Sequence, residues 1–137
     1  MLRIEALALA IARENDCLNP GSEAFATMNP GMIRAYSLDR LLVVNENAVR
    51  VFDTFEAGLR ALMSNLKVKC YGKTRANGDQ GRLGPDSTLR ELLKSYRIGG
   101  MTANANGLTR NVVEYLIDAL DDRAINENTP LRFFIES

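Results

Sequence analysis

Four stretches of this chain place apolar side chains three and four residues apart, the spacing of one face of an α-helix. Ile4, Leu7, Ala8, Ile11 and Ala12 share the first stripe, which predicts a helix over 3–14. Phe55, Leu59, Leu62, Met63 and Leu66 make the second, running to about Cys70. Leu89, Leu92, Leu93 and Tyr96 form the third, and Val112, Val113, Leu116, Ile117 and Leu120 the fourth. Each stripe must be covered by another element. Four of them in 137 residues confine the chain to one helical domain, 1–137, around a shared core. A chain of this size buries roughly two-thirds of its unfolded surface, so neither a metal nor a disulfide is needed to fold it.

Capping and turn residues punctuate the stripes. Asp53-Thr54-Phe55-Glu56 has the form of a capping box, and Ser87 or Thr88 with Glu91 has the same form. Thr109 is placed to cap the last long helix, and Thr129-Pro130 reads as an N-cap followed by proline at the first helical position. Residues 131–136 then form a short helix or an extended tail. Asn19-Pro20-Gly21-Ser22 and Asn29-Pro30-Gly31 are turns. Residues 41–44 and 48–52 are β-prone and flank Asn45-Glu46-Asn47, which predicts a hairpin with Asn in the left-handed position. Residues 71–87 and 97–107 are rich in glycine and polar residues and read as long loops. The expected fold class is mostly α (α+β): helices with a small β-hairpin.

Composition removes whole classes of chemistry. The chain has no His, which excludes Ser-His-Asp and Cys-His catalysis and every His metal site. It has no Trp, and Lys+Arg and Asp+Glu are 17 each. That balance argues against capture of nucleic acid by bulk charge. Cys17 and Cys70 read as two free thiols, and their spacing also leaves a pairing open. A charged N-terminal stretch and the lack of any apolar run of ~20 residues predict neither signal peptide nor membrane span.

The acidic residues with a chemical reading are Glu14, at the end of the first helix before a Pro-Gly turn, and Asp39, Glu46 and Asp53 around the hairpin. A carboxyl at a helix C-terminus beside a cleft is disfavoured in its charged form, as a general acid requires. A solvated glutamate is the plainer reading of the same residue. A second carboxylate across the cleft would complete a glycosidase pair. Lys67, Lys69, Lys73, Arg75 and Arg82, with Tyr71 among them, make residues 67–82 basic; a solvated loop or an anion-binding one both fit.

Taken in order, these motifs resemble the small lysozyme-like (muramidase or lytic-transglycosylase-like) domains of phage and prophage proteins. That pattern is an alanine-rich helix ending in Glu-Gly, a Pro-Gly turn, Asn-Asn-Pro-Gly-Asn or Asp, a hairpin, and a helix of the form Ser-x-Glu-x-Gly-x-x-Ala-Leu. The counterparts here are Pro20-Gly21-Ser22, Asn29-Pro30-Gly31, Arg34, Thr54 to Leu62, Thr88-Leu89-Arg90-Glu91-Leu92 and Thr129-Pro130-Leu131.

The resemblance implies a lysozyme-like helical domain with a hairpin beside a cleft. It implies cleavage of the β-1,4 bond of peptidoglycan by a single glutamate, with no metal or organic cofactor. Asn29, Arg34 and Tyr36 would contact the sugar. Counting back from Pro20, the family's Glu and Gly fall on Asn15 and Asp16, and the nearest acid, Glu14, is one residue early, about 100° around the helix. Met28 and Met32 replace polar residues around Asn29-Pro30-Gly31. The expectation is therefore a virion-associated structural protein with weak or no peptidoglycan-cleaving activity, a pseudoenzyme. An active muramidase using Glu14 is the alternative. Its expected partners are other virion proteins or peptidoglycan, and its expected location is the virion or the cytoplasm of the infected bacterium.

Overall fold

A computed structural model of the protein describes residues 1–33, 43–45, 47–70, 83–94, 97–98, 101–102 and 105–136. The described residues form α1 (Arg3–Glu14), α2 (Glu23–Ala26), α3 (Phe55–Cys70), α4 (Leu89–Lys94), β1 (Arg97–Ile98), β2 (Met101–Thr102), α5 (Ala105–Leu120) and α6 (Arg132–Ile135). The chain is mostly α-helical.

Helix α1 is the axis of the packing, touching α3, α5 and α6. The expected stripe is buried, but so are Ala6 and Ala10, which lie off it. Alanine lets neighbouring helices close in on several sides at once, so this helix is buried nearly all round instead of along one face. Leu7, Ile11, Leu62, Leu66, Leu89, Leu92, Leu116 and Phe134 are fully buried in the common core. Phe52, Phe55, Leu59, Val113 and Leu120, expected in that core, are half-buried; Leu59, Val113 and Leu120 pack at its margin and Phe55 against a smaller cluster of Ala12, Cys17 and Ala24.

The helix starts follow local hydrogen bonding. Thr54, not Asp53, caps α3: its Oγ1 accepts from Ala57 N at 3.1 Å. At α4 the reciprocal box forms, with Glu91 N donating to Thr88 Oγ1 at 3.2 Å and Thr88 N donating to Glu91 Oε1 at 3.4 Å. Thr109 does not start the helix; α5 begins at Ala105, and Thr109 is buried within it. Thr129 Oγ1 accepts from Asn126 N at 2.9 Å instead of capping α6.

Backbone bonds lay the C-terminal segment along the entry to α4. Leu89 N donates to Thr129 O (3.0 Å), Leu131 N to Ser87 O (2.8 Å) and Arg132 N to Pro85 O (2.8 Å). The Arg132 guanidinium reaches Asp86 at 2.6 Å. The end of the long loop, residues 83–87, is therefore tied down, with Leu83 buried; residues 71–82 lie outside the described residues.

Strand structure differs from expectation. The ladder among the described residues is β1–β2, antiparallel, with Arg97 opposite Thr102 and Ile98 opposite Met101. It lies in the stretch read as a glycine-rich loop. In the expected hairpin, residues 41, 42 and 46 lie outside the described residues. Its visible part is one bridge, Val44 opposite Arg50, framed by Asn45 N to Val49 O (2.9 Å) and Val51 N to Val43 O (2.8 Å). The left-handed turn residue is Ala48 (φ 61°), not an asparagine. Asn45 instead uses its Oδ1 to accept from the N–H groups of Asn47 and Val49.

Candidate functional site

The segment from the end of α1 to residue 33 carries the sequence's candidate chemistry. Asn15 closes α1, its N–H bonding to Ile11 O and Ala12 O at 3.2 Å each. Asp16 then turns the chain with φ 58°. Its Oδ2 accepts from Asn19 Nδ2 at 2.8 Å, and its carbonyl accepts from Ser22 Oγ at 2.7 Å. Ser22 also receives Phe25 N and so caps α2, a helix of one turn too short to leave a periodic signal in the sequence.

Residues 27–33 double back onto α3. Asn29 is fully buried, and its amide ties the loop to itself and to Arg50. Nδ2 donates to Ile33 O and Arg50 O, both at 2.9 Å, and Oδ1 accepts from Ile33 N at 3.0 Å. Two glycines allow the contact with α3. A Cβ on Gly58 would overlap Met28 O and lie 2.8 Å from Pro30 Cδ; one on Gly31 would lie 2.6 Å from Leu62 Cδ1. Met28 (φ 52°) and Met32 (φ 50°) hold left-handed backbone on either side of Asn29-Pro30-Gly31, a conformation costing roughly 1–2 kcal/mol for a side-chain-bearing residue.

Phe52 N donates to Thr27 O at 2.9 Å and Arg50 N to Ile33 O at 3.0 Å, joining residues 50–52 to this loop. On the other side, Glu23 Oε1 accepts from Asn45 Nδ2 (2.6 Å) and Asn47 Nδ2 (3.1 Å). Sequence reasoning passes over Glu23. Its one clue is its place directly after Ser22, at the start of a helix.

The two candidate acid positions point apart. Asn15 is 6% exposed and turns toward the loop, donating from Nδ2 to Pro30 O at 3.0 Å. Its Oδ1 is buried without a partner among the described residues. Glu14, half-buried, turns toward α5, where its Oε2 lies 3.5 Å from Asn111 Nδ2. Arg13 beside it stacks over Tyr115 of α5, 4.8 Å from the ring centroid. Asn29 thus braces the loop from a fully buried position. Asp53 is exposed; Arg34, Tyr36, Asp39 and Glu46 lie outside the described residues.

Cys17 and Cys70 are free and buried. Burial raises the Cys17 thiol pKa and pushes that of Cys70 up to about 11, which leaves both poor nucleophiles at neutral pH. Among the described residues no three Cys, Asp or Glu side chains gather as a metal site, and no helix is long and apolar enough to cross a membrane. An open recess of about 350 Å³ lies within residues 122–133 and another of about 280 Å³ between α5 and residues 126–127, and neither is lined by Glu14 or Asn15.

No family model matches the chain, and neither a curated protein nor a solved structure matches it.

Proposed function

We propose that this protein is a virion-associated structural module on a lysozyme-like scaffold whose acid position has been given over to an internal amide. The observation that carries the reading is Asn15. The residue aligned with the family's glutamate is buried and bonded to Pro30 O, and it has no acidic proton to give to a glycosidic oxygen. Glu14 does not replace it, because its carboxylate is turned toward Asn111 of α5.

Backbone conformation supports the alignment behind this reading. Asp16, Met28 and Met32 stand where the resembled pattern has Gly, Asn, and Asn or Asp, and all three have positive φ. Those are the residue types that adopt this conformation most readily. Gly58, matching the pattern's helical glycine, is the point where the 28–30 loop meets α3. The loop geometry suits the family's residues even where the side chains differ. Other virion proteins, or peptidoglycan bound without cleavage, are the partners this reading assigns; it needs no cofactor.

Turbidity loss of a peptidoglycan suspension tests it, alongside detection of the protein in gradient-purified particles. The expected result is no lysis above blank from the wild type, the same from Glu14→Gln, and co-purification with particles. General acid catalysis contributes roughly 100- to 10,000-fold, so a working acid would be plain. Lysis by the wild type that Glu14→Gln abolishes, while Asp39→Asn and Asp53→Asn do not, overturns the reading in favour of an active glycosidase or lytic transglycosylase. Lysis gained by Asn15→Glu would trace the loss of activity to this one position.

A further inference from the structure

Residues 121–130, between α5 and α6, form a loop held by its own side chains and by α4. Asp122 Oδ1 accepts from Ala124 N at 3.0 Å. Asn126 Oδ1 accepts from Asn128 N at 2.7 Å, and Asn126 N donates to Thr129 Oγ1 at 2.9 Å. Arg90 N donates to Glu127 O and Leu89 N to Thr129 O, both at 3.0 Å. This loop borders the larger recess, about 350 Å³, within the roughly 300–1,000 Å³ of small-molecule sites. Ile125, Pro130 and Phe133 give the recess apolar walls, and Asp122, Asn126 and Asn128 give it polar ones. Asp122 Oδ2 and the carboxamide of Asn128 have no partner among the described residues. A carboxylate oxygen that only accepts, and an amide that both donates and accepts, therefore stand beside an apolar wall without being needed to hold the loop.

We infer that this recess binds a neutral sugar ring, with Asn128 and Asp122 taking its hydroxyls and Pro130 and Phe133 its C–H face. Charge selects that class. The Asp122 carboxylate lines the recess and no basic side chain among the described residues does, so an anion would give up its water to meet a like charge. A cation would find the carboxylate, but the Phe133 ring already carries the Arg3 guanidinium, 4.1 Å from its centroid. That position is the one a cation takes on an aromatic ring, and a second positive charge there is repelled. A purely apolar ligand would strip water from Asp122 and Asn128 and leave them unpaired. The ligand that fits offers hydroxyl protons to the carboxylate, donors and acceptors to the amide and an apolar face to the wall, and carries no net charge. A pyranose does all of these at once. The bonds within the loop set the rim before a ligand arrives, which lowers the cost of ordering it. Neither Asn15 nor Asn29 lines the recess, and the inference stands apart from the functional reading above.

Titration of the isotopically labelled protein with glucose, galactose and N-acetylglucosamine, followed by amide chemical shifts, tests it. At least one sugar is expected to shift the amides of residues 122–133 saturably, with a dissociation constant of about 1–10 mM, and to leave those of 27–33 unmoved. Phosphate and choline, the anionic and cationic controls, are expected to shift neither set. Asn128→Ala removes a side chain that holds nothing among the described residues and keeps the backbone N–H that Asn126 uses. It is expected to weaken binding by about fivefold or more, with the amide spectrum away from the recess unchanged. Asp122→Asn keeps the shape, replaces an acceptor by a donor, and is expected to weaken binding as well. Val68→Ala, on the exposed side of α3, is expected to bind as the wild type does. The inference is overturned by a lack of saturable shifts with all three sugars, by an Asn128→Ala variant that binds as tightly as wild type, or by phosphate or choline binding more tightly than any sugar. Shifts centred on residues 27–33 overturn it too, while leaving the functional reading standing.

Discussion

Changing Asn29 to aspartate tests whether this side chain meets a ligand or holds a loop. The swap preserves shape and replaces the Nδ2 donor with oxygen. That donor serves two carbonyls, Ile33 O and Arg50 O, in a fully buried site. A protonated carboxyl in its place can satisfy one of them and leaves the other bare, at about 1–3 kcal/mol. An ionised one would face two carbonyl oxygens with a negative charge, so the folded protein keeps the acid neutral and its pKa above the unfolded value of about 3.9. The sign follows from linkage. Below the unfolded pKa both states carry the proton and only the lost hydrogen bond counts. As pH rises, the unfolded chain releases its proton and the folded one does not, so stability falls by about 1.4 kcal/mol per pH unit until the folded pKa is reached. Urea unfolding of both proteins at pH 4 and pH 7 is the assay. The expected result is a loss of about 1–3 kcal/mol at pH 4 that grows clearly by pH 7. A loss below about 0.5 kcal/mol that does not change with pH would refute the brace and return Asn29 to the set of accessible residues.

Other substitutions probe the packing around the same loop. Leu62→Ala, in the core beneath Gly31, should cost about 2–5 kcal/mol by urea unfolding. Gly58→Ala drives a methyl group into Met28 O and Pro30 and should cost about 1–3 kcal/mol, with the change in hydrogen exchange centred on residues 27–33. Asp121, exposed at φ 48° just beyond α5, combines left-handed strain with a negative charge at a helix C-terminus. Asp121→Gly should stabilise by about 0.5–2 kcal/mol, read as a higher melting temperature. A thiol reagent at neutral pH should label Cys17 and Cys70 slowly in the native protein and quickly in denaturant, since both are buried with raised pKa values.

The long helices are legible because period and cap agree: α1 and α3 occupy their expected spans, and Thr88 with Glu91 forms the expected box. Where local signals are thin, tertiary contacts decide. Residues 105–108 look like loop, yet Leu108 joins Thr109 and Val112 on the buried side of α5 and pulls the helix start forward. The Gly99-Gly100 pair reads as a break, although two glycines between short runs also suit a tight hairpin, and β1–β2 flank it. At the candidate site the sequence marks the right segment but cannot assign roles. That Asn29 is a brace depends on Arg50, distant in sequence, and that Asn15 and Glu14 diverge depends on where Pro30 and Asn111 arrive.

The packing of α1 against α6 sets a condition on when the chain can fold. The Arg3 guanidinium lies 4.1 Å from the ring centroid of Phe133, and Phe134 fills the core that α1 borders. Nearly the whole described sequence separates these partners, so closing that contact fixes a very long loop before any reward. On a ribosome, α1 emerges before α6, with an apolar surface on most of its sides and its last partner still unmade. It must stay shielded by α3 and α5 alone, or by a chaperone, until residues 131–135 are out. A chain stopped before Leu131 would expose that surface permanently, and its fate would be aggregation or degradation.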